Sequence, residues 1–157
     1  MATAAQRFAV DRSKFPGMQI DEILVWKAFL AAQQGSYDRF DYNTRLGAGV
    51  DPGPTVVEPY RSASIKLSQL RIDVVGWQGG VPTIFEVERY AKPRNVGQIL
   101  TYLAAWQAAG ISTVDPHLAI VAAAYNPSIM PVLDAHQIDL YTYPIDFSAL
   151  APARVKS

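Results

Sequence analysis

The sequence predicts an α/β sandwich, two helical layers around a mixed sheet. Two stretches lead there. Leu70 to Trp106, LRIDVVGWQGGVPTIFEVERYAKPRNVGQILTYLAAW, reads as strand, glycine turn, strand, then helix. Leu118 to Ala124 is a continuous apolar run of strand length, the mark of an interior strand. With a helix before the hairpin and a helix and strand after Ala124, the order is helix, strands, helix, strand, helix, strand.

Taken in order, Ile20 to Ala32 has apolar residues at Ile23, Leu24, Trp26, Phe29 and Leu30, an amphipathic helical spacing that Gly35 can stop. Tyr37 to Pro59 carries Gly47, Gly49, Pro52, Gly53, Pro54 and Pro59, which predicts short strands joined by turns. Ser62 to Ser68 is polar and reads as a strand edge or a loop. Arg71 to Trp77 and Thr83 to Arg89 alternate, with Ile72, Val74, Phe85 and Val87 expected on one apolar face. Gly79-Gly80 between them signals a tight hairpin turn. Asn95 to Ala109 is a predicted helix with Val96, Ile99, Leu100, Leu103 and Trp106 as its buried stripe and Gly110 as its stop. Pro127 to His136 reads as helical, and Ile138 to Tyr143 as a last strand.

The 157 residues fit a single domain, 1–157, with extended arms expected at 1–17 and 148–157. Half the residues are apolar and 18% are charged, a balance that suits a packed core and excludes a disordered chain. No run is long enough to span a bilayer and no signal-peptide pattern is present, so no membrane partner is expected. The absence of cysteine excludes a disulfide framework and a thiolate metal site. It fits a cytoplasmic protein and equally a virion protein. Net charge is zero, yet Arg61 to Arg94 holds six basic residues against three acidic ones, a local excess of +3.

Those three acids, Asp73, Glu86 and Glu88, lie on strands that are otherwise apolar. An unpaired buried charge costs several kcal/mol or shifts its pKa, so such a cluster calls for a neutralising partner. If the hairpin turns on Gly79-Gly80, opposed residue numbers sum to 159, which sets Asp73 against Glu86 and Arg71 against Glu88. A divalent cation, a shared proton, Arg71 or Lys66 could each offset the repulsion. Mg²⁺ favours one or two carboxylates with waters and a substrate phosphate, and Asp73 with Glu86 suits that chemistry. His117 and His136 have no metal-ligand spacing and read as incidental.

These residues resemble the PD-(D/E)xK nuclease superfamily, whose signature is an Asp on one strand and (D/E)-x-K on the next. RID73VVGW resembles the first element and IFE86VE88RY the second, with Glu88 where the superfamily has Lys. GQILTYLAAW resembles the helix that follows, and its Gln98 and Tyr102 match residues of the RecB-like and mismatch-endonuclease branches. The resemblance implies a restriction-endonuclease-like mixed central sheet flanked by helices (αβββαβ core) and a metal-dependent DNA phosphodiesterase. It implies Asp73, Glu86, Glu88 and Gln98 as catalytic residues, and Asp73, Glu86 and Glu22 as ligands of Mg²⁺ or Mn²⁺. Glu22 also reads as an ordinary acidic helix start, Gln98 with Tyr102 as an exposed polar stripe, and Glu88 as a cross-strand partner of Arg71.

Lys66, Arg89, Lys92 and Arg94 are the candidate contacts to a nucleic-acid backbone, with solvated loop as the plain alternative. A second expectation keeps the fold and drops the activity: a structural protein of a phage particle, such as a head-completion, neck or connector component. It would form homo-oligomers or bind virion proteins and need no metal. Neutral net charge and the missing Lys point that way.

Overall fold

Gly79 and Gly80 have φ of 55° and 79°, the two positive values that a two-residue hairpin turn of the right twist requires. They join β2 (Leu70–Gln78) to β3 (Val81–Ala91) in a computed structural model that describes residues 12–150. The paired residues, from Gln78 with Val81 to Val74 with Phe85, sum to 159, the register expected from the turn.

Around this hairpin the remaining elements follow in chain order. α1 (Ile20–Ala32) leads to β1 (Arg39–Leu46), then α2 (Tyr60–Ser68) precedes the hairpin. α3 (Pro93–Ala109) follows it, then β4 (His117–Tyr125), α4 (Met130–Ala135) and β5 (Ile138–Thr142). The five strands lie in the order β1-β2-β3-β4-β5, the first three antiparallel and the last three parallel. This is the expected mixed central sheet flanked by helices.

Each face of the sheet has its own core. α3 covers one, where Val96, Ile99, Tyr102 and Trp106 pack on Ile72, Val75, Ile84 and Ile120. α1 covers the other, where Ile23, Trp26 and Phe29 pack on Val74, Phe85, Val87 and Val121. Trp26, Phe29, Phe40 and Phe85 form an aromatic cluster with centroid separations from 4.9 Å between Trp26 and Phe29 to 6.5 Å between Phe40 and Phe85. Such contacts add to the burial term and fix ring orientation.

Four readings of the sequence are corrected. Ile72 and Val74 do not share a face: Ile72 belongs to the α3 side and Val74 to the α1 side. The alternation breaks at Asp73, where the β1–β2 ladder skips Asn43 and Asp73 and Asn43 takes φ of 54°. The segment 37–59 holds one strand, β1, followed by a strandless stretch in which Gly47, Gly49 and Gly53 all have positive φ. Ser62 to Ser68 lies in a helix, α2, which buries no residue and leaves Tyr60 69% and Leu67 73% exposed, so no apolar stripe marked it. α3 begins at Pro93, two residues before the expected start, because proline at the first helical position sacrifices no hydrogen bond.

The arms' outer parts, 1–11 and 151–157, lie outside the described residues. Within the first arm, Phe15 sits edge-on to Tyr42 at 5.6 Å, and Phe147, just before the second, lies under the Arg89 guanidinium at 4.3 Å.

Gly76 sets the closest approach in the aromatic cluster. A Cβ there would meet Phe85 and Tyr37 at 2.9 Å and Phe40 at 3.0 Å. Gly76→Ala should therefore destabilise the domain by about 1–3 kcal/mol through overpacking. Thermal unfolding checks this, with Gly97→Ala, where nothing lies within 4 Å of the added carbon, as the reference that should not lose stability.

Candidate functional site

The β2–β3 ladder stops at Val74 with Phe85, one step short of Asp73 and Glu86. Beyond that point a side chain stands in for the backbone, and the Val87 N–H donates to Asp73 Oδ2 at 2.9 Å. Glu86, on the neighbouring position, is only 4% exposed. Its Oε1 accepts from Asn95 Nδ2 at 3.3 Å, while its buried Oε2 has no hydrogen-bond partner.

Asn95 is fully buried in the first turn of α3. Its Oδ1 accepts the Lys92 N–H at 3.0 Å, which satisfies a donor the helix start would leave open. Its Nδ2 faces three acceptors: Glu86 Oε1, Glu88 Oε2 at 3.1 Å and Gln98 Oε1 at 3.4 Å. Two N–H groups cannot fully satisfy three oxygens, so the cluster is rich in acceptors and short of donors.

These groups open into a cavity of about 380 Å³. β2 lines it with Arg71 and Asp73, and β3 with Glu86 and Glu88. α1 adds Glu22, while Arg94, Gln98 and Tyr102 reach it from α3. Burial is the main cause of every large pKa shift here. It raises Glu86 strongly, and the neighbouring Asp73 charge raises it further. It raises Asp73 too, against the pull of the Val87 amide and with help from Glu88. Glu22 is pushed up to about 7 by burial, opposed by its hydrogen bond from the Gln19 N–H and reinforced by Asp73 and Glu88. The Tyr102 phenol is raised by burial and then by Glu86 and Asp73.

No family model matches the chain, and no curated protein matches it. Among solved structures it is similar to a repair endonuclease from Pyrococcus abyssi, with a TM-score of 0.49 and 15% identity over 80% of this chain and 47% of that one. The chain thus spans about half the length of the structure it matches. At that distance the chemistry has to be read from the site itself.

Among the described residues no group of three or more carboxylates and histidines is arranged to hold a metal ion. Asp73 and Glu86 are two carboxylates that could hold a hard cation, a number that suits an ion keeping several waters. The unpartnered Glu86 Oε2 fits that use. Glu22 Oε2 is already engaged by the Gln19 N–H at 2.8 Å, as a capping residue of α1.

Of the residues singled out in the sequence, Glu22, Asp73, Glu86, Glu88, Gln98 and Arg94 line this cavity. Lys66, Arg89 and Lys92 do not, and Arg89 lies in a different hollow with Phe147. Tyr102 is 6% exposed, so Gln98 and Tyr102 are not an exposed stripe. No Arg71–Glu88 ion pair forms among the described residues; Glu88 meets Asn95 and, at 3.9 Å, Arg94 Nη2. Asn95 was missed, although Asn two residues after Pro93 is the third position of a helix, where a side-chain acceptor caps the start. Asn43 was missed as well; its left-handed backbone beside Asp73 is a conformation asparagine tolerates better than most residues.

Raised carboxylate pKa values carry a stability signature. The folded state keeps protons that the unfolded chain releases, so stability is full below the ordinary carboxylate range and falls as pH rises through the folded values. For Glu22 that window runs from 4.5 to about 7, and Glu86 extends it upward. Glu86→Gln removes the group that must ionise and should flatten the fall. Above neutrality, without metal, the variant should melt higher than the parent by on the order of 1–3 kcal/mol of relieved burial. Melting curves of both proteins across this range test it.

Proposed function

We propose that the chain is a metal-dependent DNA phosphodiesterase of the PD-(D/E)xK nuclease superfamily with a variant D...ExE site. The observation that carries this reading is the pair Asp73 and Glu86 at the mouth of the broken ladder, both raised by burial, with Glu86 Oε2 lacking a partner. Carboxylates held in this way gain most from a divalent cation. Mg²⁺ or Mn²⁺ bound there would polarise a phosphoryl oxygen and make water a better nucleophile.

The chain's own residues then have separate tasks. Asp73 and Glu86 hold the cation, with Glu22 completing the acidic wall from α1. Asn95 holds Glu86 Oε1, which leaves the buried Oε2 without a hydrogen-bond partner. Gln98, hydrogen-bonded to Asn95, orients the same network. Glu88, partly exposed, accepts from Asn95 and borders the space where water would be activated. Arg94 meets the substrate strand at the cavity, while Lys66, Arg89 and Lys92 would reach phosphates outside it.

Glu88 also supports a second reading. It stands at the Lys position and is already engaged by Asn95 and Arg94, as in a site given over to structure. On that reading the chain is an inactive nuclease-fold component of a phage particle, working as a homo-oligomer or with virion partners and without metal.

Cleavage of supercoiled and single-stranded DNA with Mg²⁺ or Mn²⁺ separates the two. The expected result is metal-dependent nicking, lost by at least about a hundredfold in Glu86→Ala and in Asp73→Ala, as for loss of a metal ligand. Folded protein that cuts neither substrate with either metal, and that sediments as a defined ring, would favour the structural reading.

A further inference from the structure

Of the charged groups on the cavity wall, Arg71 is the one with no hydrogen bond or ion pair among the described residues. Its expected partner is taken, since Glu88 Oε2 receives Asn95 Nδ2 at 3.1 Å and Arg94 Nη2 at 3.9 Å. Its cross-strand neighbour in β1 is Arg45, a like charge, whose own guanidinium is committed to the Lys66 carbonyl at 2.6 Å. Asp73 and Tyr102 both feel the Arg71 charge, so its guanidinium is close to the carboxylates without closing on any of them. The Asp73 oxygen that would be the natural target accepts the Val87 N–H instead.

An arginine on a cavity wall with no protein anion hydrogen-bonded to it is a ready site for an external one. A guanidinium matches two oxygens of a phosphate with parallel hydrogen bonds. We infer that Arg71 is the phosphate-binding cation of this site, supplying from β2 the positive charge that position 88 lacks on β3. The ligand class is a nucleic-acid phosphodiester. That class rests on the proposed function; the anion binding rests on the free guanidinium. Both arginines are exposed, and Arg94 is the poorer candidate for the central phosphate because it is tethered to Glu88.

The test is binding of a fluorescent single-stranded oligonucleotide by anisotropy, with Ca²⁺ in place of Mg²⁺ so that no strand is cut. Arg71→Gln should weaken binding about tenfold or more and lower the salt slope by roughly one phosphate contact. Arg71→Lys, which keeps the charge and loses the fork, should fall between. Lys27→Gln, an exposed change on α1 outside the cavity, should bind within about twofold of the parent. Since Arg71 has no partner to lose, its variants should melt with the parent, which separates lost contact from lost fold.

Parent-like binding by Arg71→Gln, an equal loss in Lys27→Gln, or no binding by the parent protein would each overturn the assignment. Arg71-dependent binding without metal-dependent cleavage would uphold it while removing the hydrolytic reading.

Discussion

The buried amide of Asn95 is the interaction on which the site depends. Glu86 is almost wholly enclosed, and the Asn95 amide donates to its Oε1. A buried carboxylate without a donor costs several kcal/mol, so the position of α3 and the tolerance of Glu86 are linked. The same side chain closes the helix start through the Lys92 N–H, and Pro93 fixes where that start falls. One residue thus docks α3 on β3, caps the helix and aligns two carboxylates. Any shift of α3 that broke the cap would also take this donor from Glu86.

The break in the sheet at Asp73 follows from the same need to place charge near a core. A regular ladder would direct the Val87 amide to the facing backbone of β2. Here the amide goes to Asp73 Oδ2, so β2 and β3 part and the cavity opens between them. On the other side of β2, Asn43 leaves the ladder as well, its backbone in the left-handed region. The two deviations let Ile72 and Val74 serve opposite cores, a geometry strict alternation does not allow. The sheet gives up regular pairing at one level and gains a wall of carboxylate oxygens there.

This explains which features were legible in the sequence. The hairpin register could be counted because paired glycines dictate the turn, and the turn dictates the pairs. α1 and β4 were legible because their apolar residues follow the geometry of the faces they cover. α2 was not, since a helix that buries nothing leaves no pattern. At the site, the carboxylates stood out as acids in apolar strands, and topology brought Glu22 and Gln98 to them. The choice of partners was hidden. The counting sets Arg71 against Glu88, but the ladder ends at Val74 with Phe85, before it reaches them. The pairing fails because Asn95 and Arg94, from an element later in the chain, reach Glu88 instead.

That competition bears on how position 88 should be read. A motif lists residue types along a strand, whereas charge acts through space. Glu88 places an acid on β3, while the cavity it borders has cations on two other walls, Arg71 from β2 and Arg94 from α3. Had Glu88 paired with Arg71, the site would have cancelled its own positive charge. By accepting from Asn95 and drawing in Arg94, Glu88 leaves Arg71 uncompensated beside Asp73. The acid at position 88 therefore sets how positive charge is distributed around the cavity, through contacts that the strand spacing alone does not encode.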